Sequence, residues 1–395
     1  MAIAASLASE RPVRAYLDHA STSQLRPAAF DAMVPFLRDH FGDPGRLHDE
    51  GRVTRVAVEL AREQVAALFG ARPREVVFTS SGTESVDAAV HGALARAAPD
   101  GRRGLVTSAV EHSSVLDAAH RDPARKITVV GVDHRGHVDV DAMIDAIDDT
   151  TALVSIQLAN HEVGTIQDLA PLIQRVREQG GDKEVLVHVD ACAAAGHLSI
   201  DFAALDVDLC SVTGHTWGGP PGAAALLVRR GLRVPPFIVG GSQERARRAG
   251  FEDVPAIVGF GAAAAELAAP GRLATEATRA AELTAQLTAA ATAVAGVSRY
   301  GDPDQALPHL VCLGVEGVEA EPVLLALNQH GVAVHSGSSC SSETLEPSPV
   351  LEAMGVDADH SLRASVGWSS TDDDVAAFTQ AFPGIVERLR ALRGA

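Results

Sequence analysis

Short apolar, β-branched runs alternate with segments of helical spacing between about residues 50 and 230, and this alternation strongly constrains the fold. The predicted strands are residues 75–80, 103–109, 126–132, 152–159, 184–191, 207–214 and 223–229. Segments such as SVDAAVHGALARAA and LAPLIQRVREQG lie between them and carry apolar residues at helical intervals. Strands that alternate with helices usually pair in parallel, because each helix carries the chain back across the sheet. The sequence therefore predicts an α/β fold with a doubly wound, mostly parallel sheet.

The pattern changes near residue 255, where long alanine-rich helical segments begin. A strand, a helix, a Ser/Gly-rich loop, another strand and a last helix follow, and together they predict a smaller α+β unit. A chain of 395 residues is long enough for two domains. We predict a large domain over residues 14–260 and a small C-terminal domain over residues 261–395. Residues 1–13 are expected to pack beside the small domain, because chain termini tend to lie near one another.

The net charge of −18 limits the partners that this chain can bind. A nucleic acid or an anionic membrane surface requires a basic face, so we predict neither as a partner. No apolar stretch approaches the length that spans a bilayer, and the first residues lack the basic region of a signal peptide. The cytoplasm is therefore the expected location.

The four cysteines are far apart and form no C-x-x-C pair, so we expect neither a zinc site nor a disulfide framework. Cys210 and Cys312 lie in apolar runs and are predicted to be buried packing residues. Cys340 lies among Ser and Gly, which favours an exposed and reactive thiol. His188 and Asp190 alternate on one strand without an evident third ligand, so no metal site is predicted.

Polar residues follow several predicted strands, where ligands of such sheets bind. Gly82 and Thr83 open a helix whose free N–H groups suit a phosphate, although a simple helix cap has the same pattern. Asp190 ends an apolar strand and needs a partner there, either a pyridinium nitrogen or the start of the next helix. His112 also follows a strand, where it suits stacking on a ring or a structural role.

Two further segments carry groups of the same kind. Thr213 and His215 surround a glycine-rich turn in SVTGHTWGGPPG and suit a phosphate. Arg363 lies in the predicted strand SLRASVGWS, where its guanidinium suits a substrate carboxylate or a structural ion pair. Each of these residues has a structural explanation when it is taken alone, so the functional interpretation rests on their combined order and spacing.

In order and spacing, the motifs resemble those of the cysteine desulfurases of the NifS/IscS branch. That branch belongs to the class V aminotransferase group of fold-type I enzymes, which use pyridoxal phosphate (PLP). The resemblance runs almost end to end, through YLDHASTSQLRP, FGDPGRLHDEG, REVVFTSSGTES, VEHSSVLD, SIQLANHEVGTIQD, VHVDACAAAG, GGSQERARRAG, SGSSCSSETLEPS and SLRASVGWSST. It implies a fold-type I PLP-transferase architecture and a homodimer with sites near the interface.

The resemblance also implies roles for single residues. In the cofactor site, Thr83, Thr213 and His215 would hold the phosphate beside Gly82, Asp190 would pair with the pyridine nitrogen, and His112 would stack on the ring and transfer protons. In the substrate site, Arg363 would bind the carboxylate of a small amino acid, and Cys340 would take sulfur from cysteine as a persulfide for an acceptor protein. Asn160 and His161 occupy a paired-asparagine segment near both sites, with His161 a departure from the family.

The other departures fall in the implied cofactor site. Thr216 stands where the family has the lysine that holds PLP through a Schiff base. Ala193 replaces a glutamine that contacts the ring hydroxyl, and Phe251 replaces a threonine that reaches the neighbouring subunit's phosphate. The two lysines of the chain, Lys126 and Lys183, are predicted to lie at the opposite end of the sheet.

Two hypotheses follow from the missing lysine. A threonine cannot form an imine, and a positioned acid–base group typically contributes about 10²–10⁴ in rate. In the first hypothesis, weakened or altered PLP chemistry acts on cysteine or a related amino acid. The cofactor, pyridoxal phosphate or pyridoxamine phosphate, is held non-covalently, and His215 serves as a substitute base. In the alternative, the protein is a non-catalytic or PLP-independent homologue that relays sulfur or binds a partner as a scaffold.

Overall fold

The computed structural model describes residues 14–179, 184–336 and 347–393 of the chain. Its strands are β1 (Ala15–Tyr16), β2 (Val76–Thr79), β3 (Gly104–Ser108), β4 (Lys126–Val130), β5 (Thr151–Gln157), β6 (Leu186–Asp190), β7 (Leu209–Thr213), β8 (Ala224–Val228), β9 (Val297–Tyr300), β10 (Leu310–Val315), β11 (Val332–Ala333) and β12 (Ser361–Ser365). Its helices are α1 (Pro27–Arg38), α2 (Asp49–Leu68), α3 (Gly82–Ala97), α4 (Ser113–His120), α5 (Val140–Asp145), α6 (Leu169–Gln179), α7 (Phe202–Leu205), α8 (Gln243–Ala246), α9 (Val254–Ala268), α10 (Arg272–Thr292), α11 (Ala320–Gln329), α12 (Pro349–Ala353) and α13 (Asp372–Arg393), with a 3₁₀ turn at Ala98–Asp100.

Seven strands form one large sheet in the order β2-β8-β7-β6-β5-β3-β4. The strands from β7 to β4 in this order pair in parallel, and β8 pairs antiparallel with both β7 and β2. Each of the seven predicted strands is present, and their ends agree with the prediction to within two residues. The predicted α/β class and mostly parallel sheet are therefore confirmed.

Helices cover both faces of this sheet and bury its strands. Neighbouring residues of one strand point to opposite faces, so Val76 enters the core under α2 and α9, whereas Val77 enters the core under α3 and α4. Strands that are buried on both faces are rich in apolar residues along their whole length, as β8 (AALLV) is, and every residue of β5 to β8 is buried. The predicted burial of Cys210 and Cys312 is likewise seen, since both are inaccessible to solvent.

A second core lies over a three-stranded antiparallel sheet of order β12-β10-β9. Helices α10, α11 and α13 pack on it, and β1 from the beginning of the described chain pairs in parallel with β11. The predicted boundary at residue 260 falls inside α9, whose buried residues belong to the core of the large sheet. The division at 260 stays a prediction, and the expected packing of residues 1–13 lies outside the described residues.

Helices α9 and α10 are the long apolar pair of the chain. Within the described ranges, no single helix is long and apolar enough to cross a membrane. The pair α9 and α10, bent by 84°, meets that criterion by length and composition only.

A buried ion pair fixes the strained turn at α8. Glu244, Arg245 and Ala246 all have positive φ angles, of 46°, 58° and 61°, a conformation that costs about 1–3 kcal/mol for each such residue. The Glu244 carboxylate is buried and accepts two hydrogen bonds of 2.7 Å from Arg62 and one of 2.9 Å from the Phe78 N–H. These bonds hold the turn against β2 and helix α2.

We expect Glu244→Gln to destabilise the fold by about 3–5 kcal/mol, because Arg62 would keep a buried charge without its main partner. The free energy of unfolding from urea denaturation measures this loss. The control is Asp39→Asn at the exposed Arg38–Asp39 pair, where we expect a change of at most about 1 kcal/mol. A loss in Glu244→Gln no larger than that of the control would contradict the prediction.

Candidate active site

A cavity of about 160 Å³ opens at the edge of the large sheet where the parallel strands end. Its lining residues are Ser81, Gly82, Thr83, His112, Ser114, Gln157, Ala159, His161, Asp190, Cys192, Ala193, Thr213 and His215. Seven of the residues that the sequence singles out for a site therefore lie in one place. They come together because β2, β5, β6 and β7 all have their carboxyl ends at this edge.

The beginning of helix α3 forms one wall of the cavity. Ser81 caps this helix, since its hydroxyl accepts a hydrogen bond of 3.1 Å from the Glu84 N–H, which leaves Thr83 on the cavity side. A Cβ atom at Gly82 would lie 2.8 Å from Cys192 Sγ, so only glycine allows this close approach. The Thr83 hydroxyl and the N–H groups of the first turn that do not bond to Ser81 are thus available to an anion.

Thr213 at the end of β7 provides a second hydroxyl on the same side. Thr213 is 3% exposed, and its Oγ1 has no hydrogen-bond partner among the described residues. A buried polar atom of this kind calls for a partner that the protein itself does not supply. The hydroxyl and the start of α3 together fit the phosphate of a bound group.

Asp190 also lines the cavity, at the end of the central strand β6. Its Oδ1 accepts a hydrogen bond of 3.0 Å from the Cys192 N–H. Burial, followed by the charge of Asp190, raises the pKa of the Cys192 thiol well above its usual range, so this thiol stays protonated. Cys192 was not predicted as a cavity residue, and its position two residues after Asp190 is the signal that points to it.

Glu111 is a second buried carboxyl group near Asp190. Unlike Asp190, it was not predicted from the sequence. Its Oε1 accepts hydrogen bonds from Ser108 Oγ and from the Gln157 N–H, and its Oε2 has no partner among the described residues. Burial raises the pKa of Glu111 to about 8, and the nearby charge of Asp190 acts in the same direction. Glu111 is therefore a neutral acid at neutral pH.

Three histidines line the cavity. His112 caps helix α4, and its Nδ1 accepts a hydrogen bond of 3.1 Å from the Ser114 N–H. The ring of His161 lies 5.1 Å from that of His112, at an angle of 71° between the ring planes. Burial lowers the pKa of both His161 and His215, which favours neutral rings at neutral pH.

Three of the predicted site residues lie behind the lining. Asn160 is fully buried, and its side chain bonds to the Val110 carbonyl and to the N–H groups of Glu162 and Val163. This amide therefore fixes a turn, and its hydrogen-bonding groups are not directed to the cavity.

Arg363 and Thr216 are also outside the lining. The Arg363 guanidinium donates to the His161 carbonyl at 2.8 Å and to Ser21 Oγ at 2.8 Å, and it pairs with Asp18 at 3.3 Å. The sequence is compatible with two roles for Arg363, a structural ion pair and the binding of a substrate carboxylate. The structure shows an ion pair, with Asp18. Thr216 is 6% exposed, and its Oγ1 has no partner among the described residues.

The remaining predicted residues are placed as follows. Lys126 begins β4 at the opposite edge of the sheet and pairs with the exposed Asp148, as expected. Phe251 is 63% exposed and lines a separate cavity. Lys183 and Cys340 lie outside the described residues.

The cavity fits a small aromatic ring that carries a phosphate. Thr83, Thr213 and the helix start suit the phosphate, Asp190 suits a ring nitrogen, and His112 offers an aromatic face. No lysine is found among the described residues of the lining.

Comparisons with known proteins agree with the motifs. A family model described as aminotransferase class V matches residues 15–378. A cysteine desulfurase of Trichormus azollae is 39% identical over 383 residues, which cover 95% of this chain and 94% of that protein. A solved NifS-like protein superposes with a TM-score of 0.87 at 30% identity, over 95% of this chain and 100% of that chain. A solved chain described as SspA in complex with cysteine gives a TM-score of 0.75 at 26% identity, over 89% of this chain and 98% of that chain. The resemblance to the cysteine desulfurases and the fold-type I architecture are confirmed.

We expect Glu111→Gln to remove a pH dependence from the stability of the fold. The unfolded state releases the Glu111 proton near pH 4.5, whereas the folded state keeps it up to about pH 8. Between these values the folded state holds one more proton, so raising the pH destabilises the wild type by up to about 1.4 kcal/mol per unit relative to Glu111→Gln. Urea denaturation at a series of pH values measures the difference.

The exposed Glu282 provides the control for this measurement, since Glu282→Gln should follow the wild-type profile. Parallel profiles for the wild type and Glu111→Gln would contradict the assignment of a neutral Glu111.

Proposed function

Because the chain belongs to the class V aminotransferase family, we propose that it binds PLP non-covalently in the cavity and acts on cysteine or a related amino acid. Cys340 would accept the sulfur as a persulfide and pass it to an acceptor protein. The observation that carries this proposal is the arrangement within one cavity, where partners for a phosphate lie beside a buried carboxylate. The activity is that of a cysteine desulfurase, the name that the relative in Trichormus azollae bears.

PLP, when bound, supplies an electron sink for reactions at the α-carbon of an amino acid. Thr83, Thr213 and His215 would hold its phosphate, together with the N–H groups at the start of α3. The Asp190 carboxylate would accept a hydrogen bond from the ring nitrogen, and His112 would lie on the face of the ring. The unpartnered Thr213 hydroxyl and the buried Asp190 support this placement.

The substrate would be positioned by its carboxylate. Arg363 is the group that we propose for this role, because its Nε is buried without a partner among the described residues. Its Nη1 bond to the His161 carbonyl ties it to the wall of the cavity. The neighbour described as SspA in complex with cysteine supports an amino acid of this class as the ligand.

Proton transfer would fall to the histidines, because a threonine at position 216 is a poor base at neutral pH. His215 lines the cavity one residue before Thr216, and the lowered pKa of its ring favours the neutral form that accepts a proton. Together with His112, His215 would carry out the proton transfer that a lysine performs in the cysteine desulfurases that this chain resembles. The same substitution predicts a slow enzyme whose cofactor dissociates.

An apolar surface supports a homodimer. Phe41, Leu47 and Phe251 are 82%, 93% and 63% exposed, and Phe41 and Phe251 line one cavity of about 430 Å³. Exposed apolar clusters of this kind mark protein interfaces in soluble proteins. We propose that a second copy of the chain covers them.

A second candidate function is a non-catalytic or PLP-independent protein that relays sulfur or binds a partner as a scaffold. The observation that favours it is the residue at position 216, since no lysine is present among the described residues of the cavity wall. Binding of PLP separates the two candidates, because this second function does not need the cofactor.

We expect PLP to bind saturably to the wild type, as measured by an absorbance titration of the purified protein. Asp190→Ala should weaken binding roughly 10- to 100-fold, because a hydrogen bond to a charged group contributes about 1.5–3 kcal/mol. Thr216→Lys should convert the complex to a covalent one that borohydride traps and mass spectrometry detects.

The exposed Asp372, which lies on α13, gives the control, since Asp372→Ala should bind PLP as the wild type does. Cys340→Ala should keep PLP binding and lose the release of sulfide from L-cysteine in the presence of a thiol. If the wild type shows no saturable binding of PLP, the second candidate function is the one that remains.

We expect the protein to sediment as a dimer, and Leu47→Asp combined with Phe251→Asp to shift it to the monomer in analytical ultracentrifugation. Two buried charges at an apolar interface would each cost several kcal/mol. Leu392→Asp is the matched control, because Leu392 is 70% exposed on the last helix and should not affect assembly. A monomeric wild type would contradict the proposed homodimer.

A further inference from the structure

We propose that Asp302 is a positioning residue for the amino-acid substrate, because it holds the turn whose backbone fixes Arg363. Asp302 is not one of the lining residues of the cavity, and it lies in the loop between β9 and β10. The proposal rests on the proposed function and adds to it a distant residue that affects substrate binding through other residues.

The chain after β5 forms a short hairpin. The Asn160 N–H donates to the Thr165 carbonyl at 2.9 Å, and the two arms of the hairpin continue from these residues. His161 follows Asn160 and lines the cavity. The carbonyl of His161 accepts the hydrogen bond of 2.8 Å from Arg363. The position of the hairpin therefore sets the position of the Arg363 guanidinium.

The loop between β9 and β10 pairs with the second arm of this hairpin. The Ile166 N–H donates to the Gln305 carbonyl at 2.9 Å, and the Leu307 N–H donates to the Gly164 carbonyl at 2.8 Å. Both hydrogen bonds join backbone groups, so they form only while the loop keeps its shape. The hairpin is thus attached to a loop that belongs to the smaller unit.

Asp302 fixes the shape of that loop. Its Oδ1 accepts hydrogen bonds from the N–H groups of Asp304 at 2.7 Å and Gln305 at 2.9 Å. An aspartate that bonds to N–H groups two and three residues ahead closes the backbone into a turn. The N–H of Asp302 donates to Thr165 Oγ1 at 3.1 Å, so Asp302 also contacts the hairpin directly.

Two basic side chains of the large unit meet the same carboxylate. Asp302 Oδ2 accepts a hydrogen bond of 2.9 Å from His137 Nε2, and it pairs with Arg135 Nη1 at 3.4 Å. The bond from His137, followed by those from the backbone, lowers the pKa of Asp302 well below its usual range. This carboxylate therefore joins the loop, the hairpin and the segment after β4.

Hydrogen exchange tests the structural part of the proposal in the protein without PLP. We expect Asp302→Ala to speed the exchange of the Asn160 and Gly164 N–H groups roughly 10-fold, because the loop that pairs with the hairpin loses its turn. Asp302→Asn keeps the Oδ1 acceptor and should restore slow exchange. The matched control is Asp148→Ala, which removes a carboxylate that bonds to a backbone N–H and to Lys126 at the opposite edge of the sheet.

Calorimetric titration tests the functional part. We expect Asp302→Ala to bind PLP as the wild type does, and the PLP-loaded variant to bind L-cysteine roughly 10-fold more weakly, because a displaced Arg363 makes a poorer bond to the carboxylate. Asp302→Asn should recover the affinity for L-cysteine, and Asp148→Ala should keep it.

The possible results separate the inference from the proposed function. Unchanged exchange of the hairpin in Asp302→Ala, or unchanged affinity for L-cysteine, overturns the inference and leaves the proposed function standing. An equal loss of affinity for PLP and L-cysteine also overturns it, since a general loss of structure has that effect. A wild type that does not bind PLP, or that binds PLP but not L-cysteine, overturns both.

Discussion

The parallel pairing of β4, β3, β5, β6 and β7 is the constraint on which the site depends. Parallel strands require crossover helices, and those helices bury both faces of the sheet. Polar groups for a ligand can then collect at the edge where the strands end, since the interior of the sheet is mostly apolar. The cavity is therefore a consequence of topology, and each of its walls comes from the few residues after one strand.

This dependence explains why much of the site was predictable from the sequence. Gly82, Asp190 and Thr213 each lie at the end of an apolar run, so local pattern alone identifies them, and the doubly wound topology brings them to one edge. The strands were predictable for the same reason, because their apolar runs are short, separate and bounded by polar residues. In the large sheet, the residues that the local sequence pattern singles out are therefore the same residues that the fold brings together.

The remaining features depend on contacts between distant segments, which a single sequence does not display. Glu111 is neutral because its burial, together with the charge of Asp190, raises its pKa more than the hydrogen bonds from Ser108 and Gln157 lower it, and nothing in its immediate neighbours along the chain indicates this. Arg363 lies in a predicted strand, but its ion pair with Asp18 joins residues at opposite ends of the chain. The polar groups of the cavity that suit a charged ligand do not depend on a lysine. The charges around the cavity result from contacts between segments that the fold brings together.

The pairing of β1 with β11 has a consequence for synthesis of the protein. Ala15 and Tyr16 find their partners at Val332 and Ala333, and Asp18 bridges to Ser365, so the first described strand closes on almost the last one. During translation from the N-terminus, that strand has no partner until most of the chain has emerged. The large sheet can assemble earlier from neighbouring segments, whereas the smaller unit, with Asp18 and Arg363 joined across it, can be completed only after the chain is nearly finished.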